Sequence, residues 1–222
     1  MLTIDALRVR YGPLEALHGV SLTVRPGDVT LLLGRNGSGK TTLLKTIAGH
    51  LRPSAGRILW HGADVTRASI SRRAAAGLML IPDEGGVFRS LTVQKNLELF
   101  AAAGRDLSPA FDAFPDLRVL SRRRAAILSG GEQQMLALSR ALLAPWRLLM
   151  VDELSHGLAP HLAARLYAVL AELVAAHPDR TVLLAEPDAR ETLTALATQV
   201  QVLRRGEAAA AGSPAEFDAA TL

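Results

Sequence analysis

The fold of this chain is decided by the stretch Gly34-Arg35-Asn36-Gly37-Ser38-Gly39-Lys40-Thr41-Thr42. An apolar run at residues 29–33 precedes it, and a segment with helical character follows at residues 43–48. The pattern G-x-x-x-x-G-K-[ST] between a strand and a helix is typical of a phosphate-binding loop, because its glycines let successive backbone N–H groups converge on phosphate oxygens. The alternative is a glycine-rich turn that only joins two elements. The flanking strand and helix favour nucleotide binding.

Two side chains of this loop have predicted roles. Lys40 reaches the outer phosphates of a nucleotide, and the hydroxyl of Thr41 is placed to ligate the magnesium ion that accompanies them. The helix N-terminus adds partial positive charge. The whole stretch is therefore a candidate ATP site, with Gly34, Arg35, Asn36, Gly37, Ser38, Gly39, Lys40, Thr41 and Thr42 as the predicted binding residues.

Length and composition indicate an ordinary globular protein. The chain has 222 residues, of which 49% are apolar and 21% charged, which is enough for one substantial core. The absence of cysteine excludes disulfides and thiolate metal sites. The first residues lack the charged and apolar regions of a signal peptide, and no run of about 18 apolar residues occurs. We therefore expect a cytoplasmic chain that does not span a membrane.

The net charge is +4, and three consecutive arginines stand at residues 122–124. Such clusters can bind nucleic acid or anionic lipid headgroups. A solvated helix face is the simpler interpretation, because no recognition helix, aromatic platform or basic tail accompanies the cluster. We expect no nucleic-acid partner.

The order of the elements predicts one mixed α/β domain. Alternating apolar residues at 2–11 and 16–24 predict an antiparallel pair, and the continuous apolar run at 29–33 predicts a strand buried on both faces. Strands and helices alternate except between residues 82 and 127, where helices and loops predominate. We expect a nucleotide-binding core at 1–81 and 128–222 with a helical insertion at about 82–127.

A second chemical site is predicted where the apolar strand 148–151 ends. Asp152 follows the strand directly and would act through the magnesium ion and its water. Glu153 is the next residue and can orient or deprotonate the water that attacks the terminal phosphate. The alternative is a strand that simply ends in charge at the surface, but the phosphate loop upstream favours the catalytic interpretation.

A third site is predicted at the start of a helix near residue 132. Ser129 can cap this helix, and the glycines behind it leave backbone N–H groups bare, which makes a second anion site. A helix cap alone accounts for serine and glycine, but not for a second phosphate-binding helix terminus in a chain that already has one. We expect this segment to serve the nucleotide of another subunit. Its residues are Ser129, Gly130, Gly131, Glu132 and Gln133.

These three elements, in this order, resemble the ATP-binding subunit of ABC transporters. The segments 85–93, 128–137 and 157–160 are most similar to the importer subclass for branched-chain amino acids, or its relatives for amides and urea. The resemblance implies a P-loop NTPase core of the ABC ATPase type, with a mixed sheet, an N-terminal antiparallel β-subdomain and a helical subdomain. It also implies binding of ATP and Mg²⁺ between two such subunits, and hydrolysis coupled to transport.

The same resemblance implies partners and a location. In the family, two ATP-binding subunits sandwich two ATP molecules, and their closure drives integral-membrane permease subunits. A secreted substrate-binding protein acts indirectly with them. The chain is therefore expected to lie in the cytoplasm, peripheral to the inner face of the cell membrane. The insertion at 82–127 is the expected docking surface for a permease helix.

Two further positions follow from the resemblance. Tyr11 matches the position where the family stacks an aromatic ring on adenine, although an exposed aromatic at a strand end would look the same. Asp83 stands where the family commonly has a glutamine that faces the magnesium ion, so it is a predicted ligand through water. The predicted metal set is thus Thr41, Asp152 and Asp83.

The sequence also departs from the family. Pro187 occupies the position of the histidine that contacts the terminal phosphate, and proline offers neither a side-chain donor nor a backbone N–H. Leu154 replaces a proline, and Ala159 an aspartate that crosses the dimer. Our hypothesis is that the chain binds Mg-ATP well, hydrolyses it poorly alone, and works beside a non-identical ATP-binding subunit.

Two other functions compete with this one. A soluble ABC-type ATPase acting on DNA or ribosomes would carry a long coiled-coil insertion or a second cassette, and this sequence has neither. A nucleotide-binding scaffold without catalysis is favoured only by Pro187 and Asp83.

Overall fold

The computed structural model of the protein describes residues 1–84, 86–101, 106–189 and 191–217. Outside this part lie Gly85, which is the first residue of one segment of the resemblance, residues 102–105 of the expected helical insertion, and residues 190 and 218–222 of the expected core. The strands are β1 Leu2–Tyr11, β2 Leu14–Val24, β3 Val29–Leu33, β4 Ala55–Trp60, β5 Ala63–Asp64, β6 Leu78–Ile81, β7 Leu148–Asp152, β8 Thr181–Glu186, β9 Gln199–Arg204 and β10 Glu207–Gly212. The helices are α1 Lys40–Ala48, α2 Ile70–Ala75, α3 Val93–Glu98, α4 Ser108–Ala113, α5 Pro115–Val119, α6 Gly130–Leu143, α7 Pro160–Ala176 and α8 Glu191–Leu196.

The chain divides into two compact units. The first contains Met1–Leu80, Arg147–Glu153 and His177–Leu222, and the second contains Ile81–Trp146 and Leu154–Ala176. The second unit thus includes α6 and α7 in addition to the short helices of the expected insertion. Among the described residues, no helix combines the length and the apolar character needed to cross a bilayer. The boundaries of the helical subdomain at 82 and 127 stay a prediction.

Two sheets form the framework of the first unit. The smaller has the order β2-β1-β4-β5 and is antiparallel, and the larger has the order β10-β9-β3-β8-β7-β6. In the larger sheet β3 pairs in parallel with β8 and β9, β7 pairs in parallel with β8, and β10 pairs antiparallel with β9. The predicted N-terminal antiparallel pair and the mixed α/β fold are therefore confirmed, except that β2 begins at Leu14 rather than residue 16.

The strand before the phosphate loop is the centre of the larger sheet. All five residues of β3 are buried, and Leu31, Leu32 and Leu33 are at most 1% exposed. Complete burial of a leucine side chain stabilises the folded state by about 1.5–3 kcal/mol relative to leaving it exposed. A strand that is buried on both faces typically consists of a nearly continuous run of apolar residues. That pattern predicted the burial of β3. The end of β3, and with it the start of the loop, is thus held by strands on either side.

In the first unit, a buried arginine of α2 links this helix to α1. Arg73 in α2 is 2% exposed and donates hydrogen bonds to the carbonyls of Thr46 and Ile47, both at 2.7 Å. These carbonyls belong to the last turn of α1, which carries the negative end of the helix dipole. The N–H of Gly49 also donates to the carbonyl of Thr46, at 3.1 Å. Burial lowers the pKa of Arg73, and the negative charge of Asp64 opposes that effect. Arg73 therefore fixes the C-terminal end of the helix that follows the phosphate loop.

Helix α6 is the central element of the second unit. It packs against α3, α4, α5 and α7, and its apolar residues Leu136 and Leu138 are fully buried. The helix begins at Gly130, two residues earlier than its apolar pattern indicated. In α7, Leu166, Leu170 and Leu173 are buried. These contacts place Ser129 and Gly130 at the exposed N-terminus of a well-anchored helix, whereas Gly131 is buried.

Candidate functional site

The backbone of the predicted phosphate loop requires glycine at several positions. Gly37 and Gly39 have φ angles of 80° and 107°, in the left-handed region. Gly34 has no such angle, but a Cβ there would lie 2.3 Å from the carbonyl oxygen of Leu203. The loop is thus pressed against β9 at its start and turned by positive φ angles at its end. This is the local geometry that the glycine spacing predicted.

The N-terminus of α1 is arranged to receive negative charge. Its N-cap residue Gly39 supplies no side-chain cap, and the first turn contains no acidic residue. Its first N–H groups are therefore not occupied by a side chain of the cap position, and the helix dipole is positive at this end. The hydroxyl oxygen of Ser38 is buried and has no hydrogen-bond partner within the described part of the chain. A phosphate oxygen at this position would satisfy it, so the residues present fit a nucleotide phosphate.

Lys40 contacts the predicted catalytic acid directly. Its ammonium group donates a hydrogen bond to the carbonyl of Gly34 at 2.5 Å and lies 3.1 Å from Oε1 of Glu153. The side chains of the two charged residues are 3% and 13% exposed, so water screens this ion pair little. Lys40, which is predicted to hold the outer phosphates, is therefore in direct contact with Glu153, the predicted base.

The strand β7 presents the acids of the second predicted site. Asp152 is its last residue, is 2% exposed, and is paired in register with Ala185 of β8. Glu153 leaves the strand with a φ of 47°, and its N–H donates to the carbonyl of Ala185 at 2.9 Å. This left-handed conformation is unusual for a residue with a side chain and turns Glu153 out of the strand alternation. The left-handed conformation of Glu153 therefore explains why Asp152 and Glu153, although adjacent in sequence, have different neighbours.

Tyr11, the predicted adenine-stacking residue, lies next to the phosphate loop. The hydroxyl of Tyr11 lies 3.4 Å from Oγ1 of Thr42, where either oxygen can donate. Tyr11 is 47% exposed and so keeps a large part of its ring open to solvent. This contact brings the aromatic residue to the first turn of α1. Stacking of its ring on adenine stays a prediction.

In the second unit, the segment 129–133 forms a capping box. Oγ of Ser129 accepts a hydrogen bond from the N–H of Glu132 at 3.3 Å, and Oε2 of Glu132 accepts one from the N–H of Ser129 at 2.7 Å. Gln133 donates from Nε2 to the carbonyl of Leu128 at 3.0 Å. A Cβ on Gly131 would approach Leu162 to 2.8 Å, whereas a Cβ on Gly130 would meet nothing within 4 Å. The exposed Ser129–Gly130 end is therefore the part available to a ligand.

The structure also reveals a contact that the sequence did not predict. The carboxylate of Asp83 lies 3.0 Å from Nδ1 of His156, and the carbonyl of Asp83 accepts a hydrogen bond from Gln134 at 2.9 Å. All three residues belong to the second unit. Asp83 and His156 are far apart in the sequence, and no local pattern signals their pairing. The role of Asp83 toward magnesium stays a prediction.

The predicted site residues are divided between the two units. Tyr11, the loop 34–42 and the acids Asp152 and Glu153 belong to the first, and Asp83 and the segment 129–133 belong to the second. The structure brings together Lys40 with Glu153 and Tyr11 with Thr42. The first unit thus contains the phosphate loop and the predicted base of one ATP site.

Comparisons with known proteins agree with this geometry. The family model described as ABC transporter matches residues 17–156. A high-affinity branched-chain amino acid transport ATP-binding protein, BraG of Pseudomonas aeruginosa, is 35% identical over 93% of this chain and 90% of its own length. An Fe(3+) ions import ATP-binding protein, FbpC of Mesorhizobium japonicum, is also 35% identical, over 97% of this chain and 61% of its own length.

A solved structure gives the same result for the fold. The crystal structure of the ADP conformation of an ATP-binding cassette of an ABC transporter is 27% identical, with a TM-score of 0.81. The match covers 98% of this chain and 92% of that chain. The expected ABC ATPase architecture is thereby confirmed.

Proposed function

Because the chain belongs to the ABC transporter family and is one of its ATPases, we propose that it energises an importer of branched-chain amino acids. Its role as the ATP-binding subunit of an importer follows from its relatives. Two observations support the choice of cargo. The sequence segments 85–93, 128–137 and 157–160 resemble the branched-chain subclass. BraG also aligns over 90% of its length, compared with 61% for the iron importer subunit.

The direct contact between Lys40 and Glu153 carries the catalytic part of this proposal. Lys40 and the backbone of residues 34–42 hold the phosphates of ATP, and Tyr11 stacks on adenine. Glu153 orients the attacking water and accepts its proton. Before ATP binds, Glu153 neutralises the charge of Lys40, and the incoming phosphates replace it there. Binding of ATP therefore releases the base from the lysine.

The magnesium ligands in this proposal are Thr41 and Asp152, with Asp83 acting through water. A hydroxyl and carboxylates are oxygen donors of the kind that Mg²⁺ prefers, and Asp152 is held at a buried strand end. When bound, the ion neutralises negative charge on the phosphate oxygens. Thr41 and Asp152 belong to one unit, and Asp83 belongs to the other.

The proposed assembly contains several subunits. The segment Ser129–Gln133 completes the ATP site of a second ATP-binding subunit, which the departures from the family pattern suggest is non-identical. The pair acts on integral-membrane permease subunits at the inner face of the membrane, with residues 82–127 as the docking surface. A substrate-binding protein delivers the cargo to the permease.

A transport assay tests the proposed cargo. Membrane proteins that co-purify with the tagged chain are reconstituted in liposomes with ATP inside and their binding protein outside. We expect uptake of radiolabelled leucine, isoleucine or valine, and loss of that uptake when the ATP-binding subunits are omitted. Uptake of Fe³⁺ without uptake of these amino acids would identify a different cargo while leaving the ATPase function intact. Absence of any co-purifying membrane protein would favour a soluble ATPase.

Pro187 provides a test of the hypothesis that the chain hydrolyses ATP poorly alone. Proline follows β8 directly and lacks any donor for the terminal phosphate. We expect Pro187→His to raise turnover by the purified chain by about tenfold or more, since one transition-state donor accounts for about 10²–10³ in rate. Pro145→His, at an exposed site of the second unit, is the control and should have no effect. The hypothesis is wrong if the unmodified chain alone already turns over as fast as the assembled transporter.

A further inference from the structure

A basic pocket lies in the first unit, outside the predicted ATP site. It has a volume of about 480 Å³ and is lined by Arg57, Arg67 and Arg72, together with Asp64 and Thr66. The lining contains no residue of the phosphate loop 34–42. A volume of this size is within the range of small-molecule sites, which are about 300–1,000 Å³.

The positive charge of this pocket exceeds its negative charge. Within the described part of the chain, the side chains of Arg67 and Arg72 make neither a hydrogen bond nor an ion pair. Arg57 has one ion pair, at 3.5 Å to Asp5, in which both side chains are more than half exposed. Exposed pairs at such distances contribute little. Three arginines therefore line the pocket without a strong internal partner for their side chains.

Asp64, the acidic residue of the pocket, already accepts a hydrogen bond from within the protein. The carboxylate of Asp64 accepts a hydrogen bond from the N–H of Thr66 at 2.8 Å. Hydrogen bonds with Thr66, followed by the charges of Arg57 and Arg67, lower the pKa of Asp64. Asp64 thus stays negative and cancels one of the three positive charges. The net lining charge of about +2 matches a doubly charged anion.

Hydrogen bonds hold the backbone of the pocket in place. Oγ1 of Thr66 accepts a hydrogen bond from the N–H of Ile58 at 2.8 Å, which ties the segment to β4. The carbonyls of Thr66 and Ala68 accept hydrogen bonds from the buried guanidinium of Arg73, at 2.8 and 3.1 Å. A ligand would therefore not have to order this segment on binding, and preorganisation of this kind favours affinity.

We propose that the pocket formed by Arg57, Arg67 and Arg72 binds a phosphate group in its dianionic form, as a phosphomonoester or a lipid headgroup. Guanidinium groups suit this ligand because their planar forks donate paired hydrogen bonds to phosphate oxygens. The pocket is larger than one phosphate group and leaves room for the organic part of the ligand. This site is additional to the ATP site and is joined to it through Arg73, which contacts both the pocket backbone and the last turn of α1.

Titration with inorganic phosphate tests the site. The phosphate loop is first saturated with Mg²⁺ and a non-hydrolysable ATP analogue, and the amide NMR signals of Thr66 and Ala68 are followed. We expect these signals to shift and saturate. In R67A/R72A the apparent Kd should rise by about tenfold or more, because the variant lacks two charged hydrogen-bond donors. The control R52A/R89A removes two exposed arginines outside the pocket and should leave the Kd unchanged.

A second arm of the experiment identifies the source of the phosphate group. The same three proteins are sedimented with vesicles of phosphatidylcholine alone or with phosphatidic acid added, because the headgroup of phosphatidic acid is a phosphomonoester. Binding to the anionic vesicles that is lost only in R67A/R72A identifies a lipid headgroup, and saturation by free phosphate without vesicle binding identifies a soluble phosphomonoester. The proposal is overturned if neither ligand binds, if R67A/R72A binds like the control, or if the NMR shifts occur only when the phosphate loop is empty. Binding of the ATP analogue is measured in each variant, so a failure of the ATP site would be seen separately.

Discussion

Glu153→Gln is expected to stop ATP turnover while the chain continues to bind ATP. Glutamine has the shape of glutamate but cannot accept the proton of the attacking water, and loss of a general base costs about 10²–10⁴ in rate. The substitution also removes the negative charge that lies 3.1 Å from the ammonium group of Lys40. Lys40 then meets the phosphates without having to leave a carboxylate, so the affinity for ATP should be unchanged or higher.

The measurement combines turnover with trapping. The rate of phosphate release and the amount of ATP retained after gel filtration are compared for the unmodified chain and the variant, each with its partner subunit present. A closed dimer that retains ATP should accumulate for Glu153→Gln. Glu172→Gln, on an exposed position of α7, is the control and should behave as the unmodified chain does. If Glu153→Gln hydrolyses ATP at the normal rate, Glu153 is not the base.

Lys40→Met is expected to weaken ATP binding by about 10- to 100-fold, because that factor corresponds to the loss of one hydrogen bond that involves a charged group. It should also destabilise the nucleotide-free chain by about 3 kcal/mol, because it leaves the carboxylate of Glu153 largely buried beside an apolar side chain. Lys45→Met changes a lysine of the same helix outside the loop and serves as the control. Equilibrium titration with a fluorescent ATP analogue and denaturant unfolding give the two quantities.

A double-mutant cycle separates the ion pair from other effects of these substitutions. In Lys40→Met/Glu153→Gln the unpaired charge is absent, so the loss of stability should be smaller than in Lys40→Met alone. The coupling between the two positions should be about 0.5–3 kcal/mol. Additive effects in the nucleotide-free chain would mean that the contact at 3.1 Å contributes nothing to its stability.

The elements that could be predicted from the sequence are those whose geometry is local. The turns at Gly37 and Gly39 depend on backbone angles that only glycine adopts readily, so the glycine spacing predicts the loop before any contact is known. The cap formed by Ser129 and Glu132 likewise lies within one helical turn. Burial of β3 is visible in its unbroken apolar run.

The contacts that could not be predicted depend on the order of strands in the sheet. Lys40 reaches Glu153 because β8 lies between β3 and β7, and nothing in either local segment specifies that order. The pairing of Asp83 with His156 has the same origin in distant segments. Arg73 is a further case, because it follows Arg72 in a short polar helix and differs from it only in being buried.

The position of β3 also has a consequence for synthesis of the protein. Its two neighbours in the sheet, β8 and β9, begin only at Thr181 and Gln199, and the N–H of Gly206 donates to the carbonyl of Ser38 within the loop itself. Such long-range pairings form late, since both partners must first exist. While the ribosome has not yet passed residue 206, the nascent chain carries the complete glycine motif but lacks the neighbours that shape it. The ability to bind ATP is therefore acquired only after residue 206 has been synthesised, and a polypeptide truncated before that residue would not compete for the nucleotide.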